Sequence, residues 1–73
     1  REAVLACDAA IRAAPGYADA WRERGAILTA GGSIGEARRS FAEAARLSPG
    51  DAAAHAGLAA LAGRPWEYHV LRT

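Results

Sequence analysis

Pro15 and Pro49 stand 34 residues apart, and each closes a run of Ala, Arg and Leu with helical spacing. Proline cannot continue the hydrogen-bond ladder of a helix, so both positions are hard stops. An interval of 34 residues is the length of one helix–turn–helix unit, and internal periods of this size mark stacked helical arrays. In such an array each unit buries its apolar face only against its neighbours, so the period constrains the whole architecture.

Four helices follow from the pattern. The first spans Glu2 to Ala13, with Ala3, Ala6, Cys7, Ala10 and Ile11 forming one stripe at i, i+3, i+4, i+7 and i+8. Pro15-Gly16 ends it. The second runs from Ala18 to Ala30, with Trp21, Gly25 and Leu28 on one face, Ile27 beside them, and Asp19 in the first turn where the helix dipole favours it. Gly31-Gly32 stops it. Ser33 and Glu36 then have the spacing of a capping box, opening a third helix from Ile34 to Leu47. Its expected buried stripe is Ala37, Phe41, Ala44 and Ala45, ending at Leu47, while Arg38, Arg39, Glu43 and Arg46 face outward and Glu43 can pair with Arg39. After Ser48-Pro49-Gly50, Asp51 is a good N-cap for a fourth helix from Ala52 to Ala62, which Gly63 ends. The remaining residues, 64–73, read as a short helix starting at Pro65, although the alternation of Trp66, Tyr68 and Val70 also permits a strand. Short connections force antiparallel neighbours.

Inside the 34-residue period, Trp21, Gly25, Leu28, Gly32, Ala37, Phe41, Ala44 and Pro49 fall at fixed offsets. In these positions the chain resembles the tetratricopeptide repeat, with one complete repeat from Ala18 to Asp51. Ala3, Cys7, Ala10 and Pro15 occupy the places of Ala37, Phe41, Ala44 and Pro49, so the first helix resembles the second half of a preceding repeat. The fourth resembles the first half of a following one, with His55 packed where Trp21 stands and Leu58 in an apolar place. The resemblance implies an all-α fold: antiparallel helix pairs stacked as a short right-handed α-solenoid over residues 1–63, with residues 64–73 as a C-terminal cap or the start of a following segment. The chain departs from the pattern at Arg24, a normally apolar place, where the stem is expected to lie along the helix pair with its charge reaching water. It also departs at Tyr17, in place of an Asn or Asp cap, and at Cys7, smaller than the usual packing residue.

The resemblance also implies a groove lined by the first helices of successive repeats. Here its residues would be Asp19, Arg22, Glu23, Ala26 and Thr29, then Ala53, Ala56, Gly57 and Ala60. Some members clamp a partner's terminal carboxylate with Lys and Asn; apart from Arg22, the matching places hold Ala26 and Gly57, so that clamp is not built. The implied function is a protein–protein interaction or scaffold module that binds a peptide or protein segment. The competing readings are the non-catalytic repeat region of a larger bacterial enzyme, and self-association through open stack ends.

Composition narrows the classes further. At 73 residues the chain holds one small domain, whose core is marginal without neighbours. Nine basic and eight acidic residues leave a net charge of +1, which argues against a nucleic-acid surface. Every basic residue is Arg, Lys, Asn and Gln are absent, and Ala abounds; this reads as the imprint of a GC-rich, bacterial genome. The chain starts at Arg1 and contains no Met, which reads as a trimmed or processed piece whose start can hide a signal. A single Cys fits a reducing compartment, so a cytoplasmic location is expected, and no apolar run is long enough for a membrane span.

No catalytic group, metal site or cofactor is expected. Cys7, His55 and His69 have no recognised metal spacing, and a Cys–His pair would need the first and fourth helices to touch. Cys7 reads as a small buried apolar residue. Gly31-Gly32-Ser33-Ile34-Gly35 superficially resembles a phosphate-cradling loop but lacks the Lys-Ser/Thr and the preceding strand.

Overall fold

A computed structural model of the chain describes residues 2–62. They form four helices and, among the described residues, no strand: α1 (Glu2–Ala13), α2 (Ala18–Ala30), α3 (Ile34–Leu47) and α4 (Ala52–Ala62). These four ranges are the ones expected from the sequence. The expectations for Gly63, for the segment 64–73 and for His69 lie outside the described residues. The helices fill a slab of 38 × 28 × 16 Å, its thin dimension that of two helix layers. Helices adjacent in sequence pack together, α2 also touches α4, and α1 does not pack against α4. Among the described residues, no helix is long and apolar enough to cross a membrane.

The core is built from Leu28, Ile34, Ala37, Phe41 and Leu61, with Val4 and Leu58 packed against it. Phe41 is its centre. A Cβ at Gly25 of α2 would stand 2.9 Å from the Phe41 ring, and one at Gly57 of α4 would stand 2.6 Å from it. The ring therefore sits between two helices at places where only a missing side chain leaves room. Ala37, Phe41 and Ala44 are buried as the stripe predicts, while Ala45 and Leu47 are half-buried; Ile34 and Ser40 join the buried set.

The turns explain why the helices end. After α2, Gly32 has φ +86°, the left-handed conformation that favours glycine. Ser33 N–H donates to the Leu28 carbonyl (2.9 Å) and Gly32 N–H to that of Thr29 (3.1 Å), a Schellman closure. This turn corrects the expected capping box. Ser33 makes no side-chain cap bond to α3, and Glu36 instead lies 3.8 Å from Arg24. Asp51 does cap α4: its Oδ1 accepts from the N–H groups of Ala53 (3.0 Å) and Ala54 (3.2 Å).

Three further expectations are corrected. In α1, only Cys7 of the alanine-rich stripe is buried and Ile11 is half-buried; Ala3, Ala6 and Ala10 are exposed. The face turned toward α2 is Val4, Cys7, Asp8 and Ile11, because α2 is the only described helix against which α1 packs. Glu43 pairs with Arg46, three residues on, accepting from its Nε at 3.0 Å, in place of the expected Arg39. His55 is exposed and bonded to a turn, where a packed ring was expected.

Candidate functional site: the groove between α2 and α4

The groove residues expected from the sequence split into two groups along α2 and α4. At one end Arg22 ties the helices together. Its Nη2 donates to Asp19 Oδ1 at 2.9 Å, and its Nε lies 3.2 Å from Asp51 Oδ2 at the start of α4. The second contact is an ion pair without hydrogen-bond alignment, and this buried nitrogen has no hydrogen-bond partner. The Arg22 guanidinium, and after it the Tyr17 hydroxyl, hold the Asp19 carboxyl below its usual range. The same bond pushes the Arg22 guanidinium further up. Glu23 is exposed beside them.

Further along both helices, Ala26, Thr29, Gly57 and Ala60 surround a depression of roughly 260 Å³ floored by Phe41 and Leu61. Small side chains line it, so the depression is open, while Phe41 (6% exposed) and Leu61 (1%) beneath it remain buried. Thr29 is less available than its position suggests, since its hydroxyl donates to the Gly25 carbonyl of its own helix at 2.7 Å. Ala53 and Ala56 are exposed on α4 but do not line the depression. The volume falls below that of a typical small-molecule pocket and suits a single side chain entering from above. The described residues place no His or Cys here; of the carboxylates at the charged end, Asp19 is paired with Arg22, Asp51 caps α4 and Glu23 is exposed.

A wider depression of roughly 640 Å³ lies across α1, α2 and α3, where Ile11, Trp21 and Ala42 are rimmed by charged side chains. Sequence reasoning missed its central feature. Arg24 was expected to reach water; instead its Nε donates to Asp8 Oδ1 of α1 at 2.7 Å and its Nη1 to Ser40 Oγ of α3 at 2.7 Å. Ser40 is fully buried and the Arg24 side chain is only 20% exposed. The signal was present: a cation in an apolar place needs partners, and Asp8 and Ser40 lie 16 residues before and after it, on the helices that flank α2. Part of the rim is paired internally, Arg24 to Asp8 and Arg46 to Glu43, while Glu36 and Arg39 are exposed.

Cys7 is buried at 7% exposure, as a small apolar residue would be. Burial, and then the Glu23 and Asp8 carboxylates, push its thiol up, which keeps it protonated and unreactive. It cannot pair with His55, because α1 does not pack against α4.

Comparison of the chain with family models, with curated proteins and with solved structures found no match.

Proposed function

We propose that this chain is a tetratricopeptide-type interaction module, its helix pairs stacked in a short right-handed solenoid, that binds an extended segment of a partner protein across α2 and α4. The observation that carries the binding reading is the shallow depression between α2 and α4, framed by Ala26, Thr29, Gly57 and Ala60 above the buried Phe41 and Leu61. An apolar side chain of a bound segment fills that depression, and the charged end at Asp19, Arg22 and Glu23 sets which way the segment lies.

The repeat itself has independent support from the turns. Ala14 N–H donates to Ala10 O at 2.9 Å, and 34 residues later Ser48 N–H donates to Ala44 O at 2.9 Å. Tyr17 N–H donates to Ala14 O at 3.0 Å, and Asp51 N–H to Ser48 O at 2.9 Å. Trp21 Nε1 donates to the Pro15 carbonyl at 3.0 Å; His55 Nε2 is 2.7 Å from the Pro49 carbonyl and, since a carbonyl only accepts, donates to it. Three hydrogen bonds thus recur at the proline interval although Tyr17 and Trp21 have become Asp51 and His55. The run of the helices agrees. Arg22 meets Asp51 at one end and Ala26 shares a depression with Gly57 further on, so α2 and α4 run in the same sense, as the first helices of two repeats do.

Peptides selected from a random displayed library on the immobilised chain test the binding reading. Bound peptides are expected to shift the NMR signals of Ala26, Thr29, Gly57 and Ala60, and to lose at least tenfold in affinity for Ala26→Trp and Ala60→Trp, both exposed and compatible with folding. Shifts confined to Ile11, Trp21 and Ala42, or no selected binder, would sink it.

A further inference from the structure

The two ends of the α2–α4 groove differ in charge. At one end Tyr17 stands just before α2, 55% exposed, and its hydroxyl donates to the Asp19 carboxylate, which holds the ring beside that group. Glu23, one turn beyond Asp19, is exposed and forms no ion pair among the described residues. Three carboxylates, Asp19, Glu23 and Asp51, thus stand at this end against one guanidinium, Arg22, an excess of two negative charges. The N-termini of α2 and α4 lie at the same end, and each contributes about half a positive charge, so about one negative charge is left uncompensated. Arg22 does not reverse that sign, because it is engaged to Asp19 and lies against Asp51. At the other end, the described residues around the depression, Ala26, Thr29, Gly57 and Ala60, carry no charge.

We propose that the segment bound between α2 and α4 carries a basic side chain, Lys or Arg, two residues from the apolar side chain that fills the depression. This rests on the reading of that groove as a binding site and names the chemistry of its partner. Complementarity of charge selects the occupant: an acidic segment meets like charge at Glu23, whereas a basic one meets a carboxylate that has no partner of its own. The exposed Tyr17 ring adds an aromatic face against which a guanidinium or ammonium packs.

The spacing follows from the geometry of both chains. Ala26 and Thr29 lie three and six residues beyond Glu23, so their helix positions are about 4.5 and 9 Å further along the axis. Side chains on one face of an extended segment recur every second residue, about 6.7 Å apart. A side chain two positions from the apolar anchor therefore lies level with Glu23, while the residue between them points away. The recognition is by charge and shape, and it asks for no particular sense of the bound segment.

NMR titration of the 73-residue chain at neutral pH and low salt tests it, with capped synthetic peptides. The first is Gly-Ser-Lys-Ser-Leu-Ser-Lys-Ser-Gly, which reads the same in both senses; two others replace both Lys by Gln or by Glu. The Lys peptide is expected to bind about fivefold more tightly than the Gln peptide, the scale of one close charge pair in water, and the Glu peptide most weakly. High salt is expected to shrink that difference. Glu23→Gln removes most of it, and Glu23→Lys reverses the order in favour of the Glu peptide. Glu23 is exposed, so both variants are expected to keep the helical circular dichroism of the parent. A fourth peptide, Gly-Ser-Ser-Lys-Leu-Lys-Ser-Ser-Gly, sets each Lys next to the Leu and is expected to lose more than half of the Lys advantage; one as tight as the first overturns the spacing. Lys and Gln peptides that both shift Ala26, Thr29, Gly57 and Ala60 with equal affinity overturn the proposal and leave the groove reading standing. So does a binding order that Glu23→Lys leaves unchanged. If no peptide shifts those four signals, the groove reading itself has failed and the proposal falls with it.

Discussion

Two side chains at the middle of the molecule join three helices each, and they do so by opposite chemistry. Phe41 of α3 wedges between α2 and α4 at two glycines, a contact made only of volume. Arg24 of α2 bridges α1 and α3 through Asp8 and Ser40, a contact made of charge and hydrogen bonds. One period after Arg24 stands Leu58, and one period after Asp8 stands Ala42; these two share the lining of one depression at the α3–α4 junction. The same joint is therefore built once as Arg–Asp and once as Leu–Ala. Across this interval both partners of the joint change together, from a charged pair to an apolar one.

The most severe way to break this comparison is at Phe41. Phe41→Ala empties the space between three helices and is expected to cost about 3–5 kcal/mol, the range for a buried aromatic. In a domain this small that removes most or all of the cooperative urea transition followed by circular dichroism. Gly57→Val tests the same contact from the other side. Its Cβ alone would stand within 3 Å of the ring, so a loss of about 1–3 kcal/mol is expected from overpacking. A Gly57→Val chain as stable as wild type would show that the ring is free to move.

Arg24 gives the next largest effect. Arg24→Leu leaves Asp8 and Ser40 without their partner. Breaking a buried pair costs several kcal/mol, but Asp8 is 32% exposed and water screens it, so about 1–2 kcal/mol is expected. Adding Asp8→Ala recreates at the α1–α2 junction the Leu–Ala pair of the α3–α4 junction. The double variant is expected to recover more than half of the loss in the urea midpoint. If the two losses simply add, the equivalence of the two joints is wrong.

The smallest effect sharpens the contrast between a charge tie between helices and one at the surface. Asp19 is held below its usual range by Arg22 first and by Tyr17 second. A carboxyl group whose pKa falls on folding stabilises the fold above its unfolded value, near about 3.9, and that contribution is lost as pH falls through the lower folded value. The tie between Asp19 and Arg22 is thus expected to be complete at neutral pH and to fade only below about pH 4. Arg22→Gln should move the Asp19 midpoint back up toward the ordinary range in a carboxyl carbon NMR titration. An unmoved midpoint would mean that Arg22 does not govern Asp19 in solution.

Backbone punctuation was the most legible layer. Pro15, Gly31-Gly32, Pro49 and Asp51 act on their own segment through dihedral restriction, missing donors and local capping, and α1, α2 and α3 end, and α4 begins, where those residues place them. The centre of the core was legible too, since Ala37, Phe41 and Ala44 are one helical face. The groove was legible as a face of α2 but not as a shape. Nothing local announces that Ala26 and Gly57 share a depression while Ala53 and Ala56 stand outside it. The α1 stripe misled because periodicity identifies an apolar face without saying whether a neighbour exists to cover it. The Ser33–Glu36 box misled because its spacing is right, yet Glu36 leans toward Arg24 and the Gly32 turn sets the approach of Ser33.

By itself the sequence determined the four described helices and their bounds, because those depend on interactions within a few residues of chain, and it displayed the 34-residue spacing of Pro15 and Pro49. Tertiary structure alone decided that Arg24 is paired and shielded, that Arg22 reaches Asp51, and that Phe41 lies between two glycines on different helices. It also decided which alanines are buried and which are exposed. Those outcomes rest on which helices come within 3–4 Å of one another in space, and a side chain's own neighbours in sequence carry no record of that.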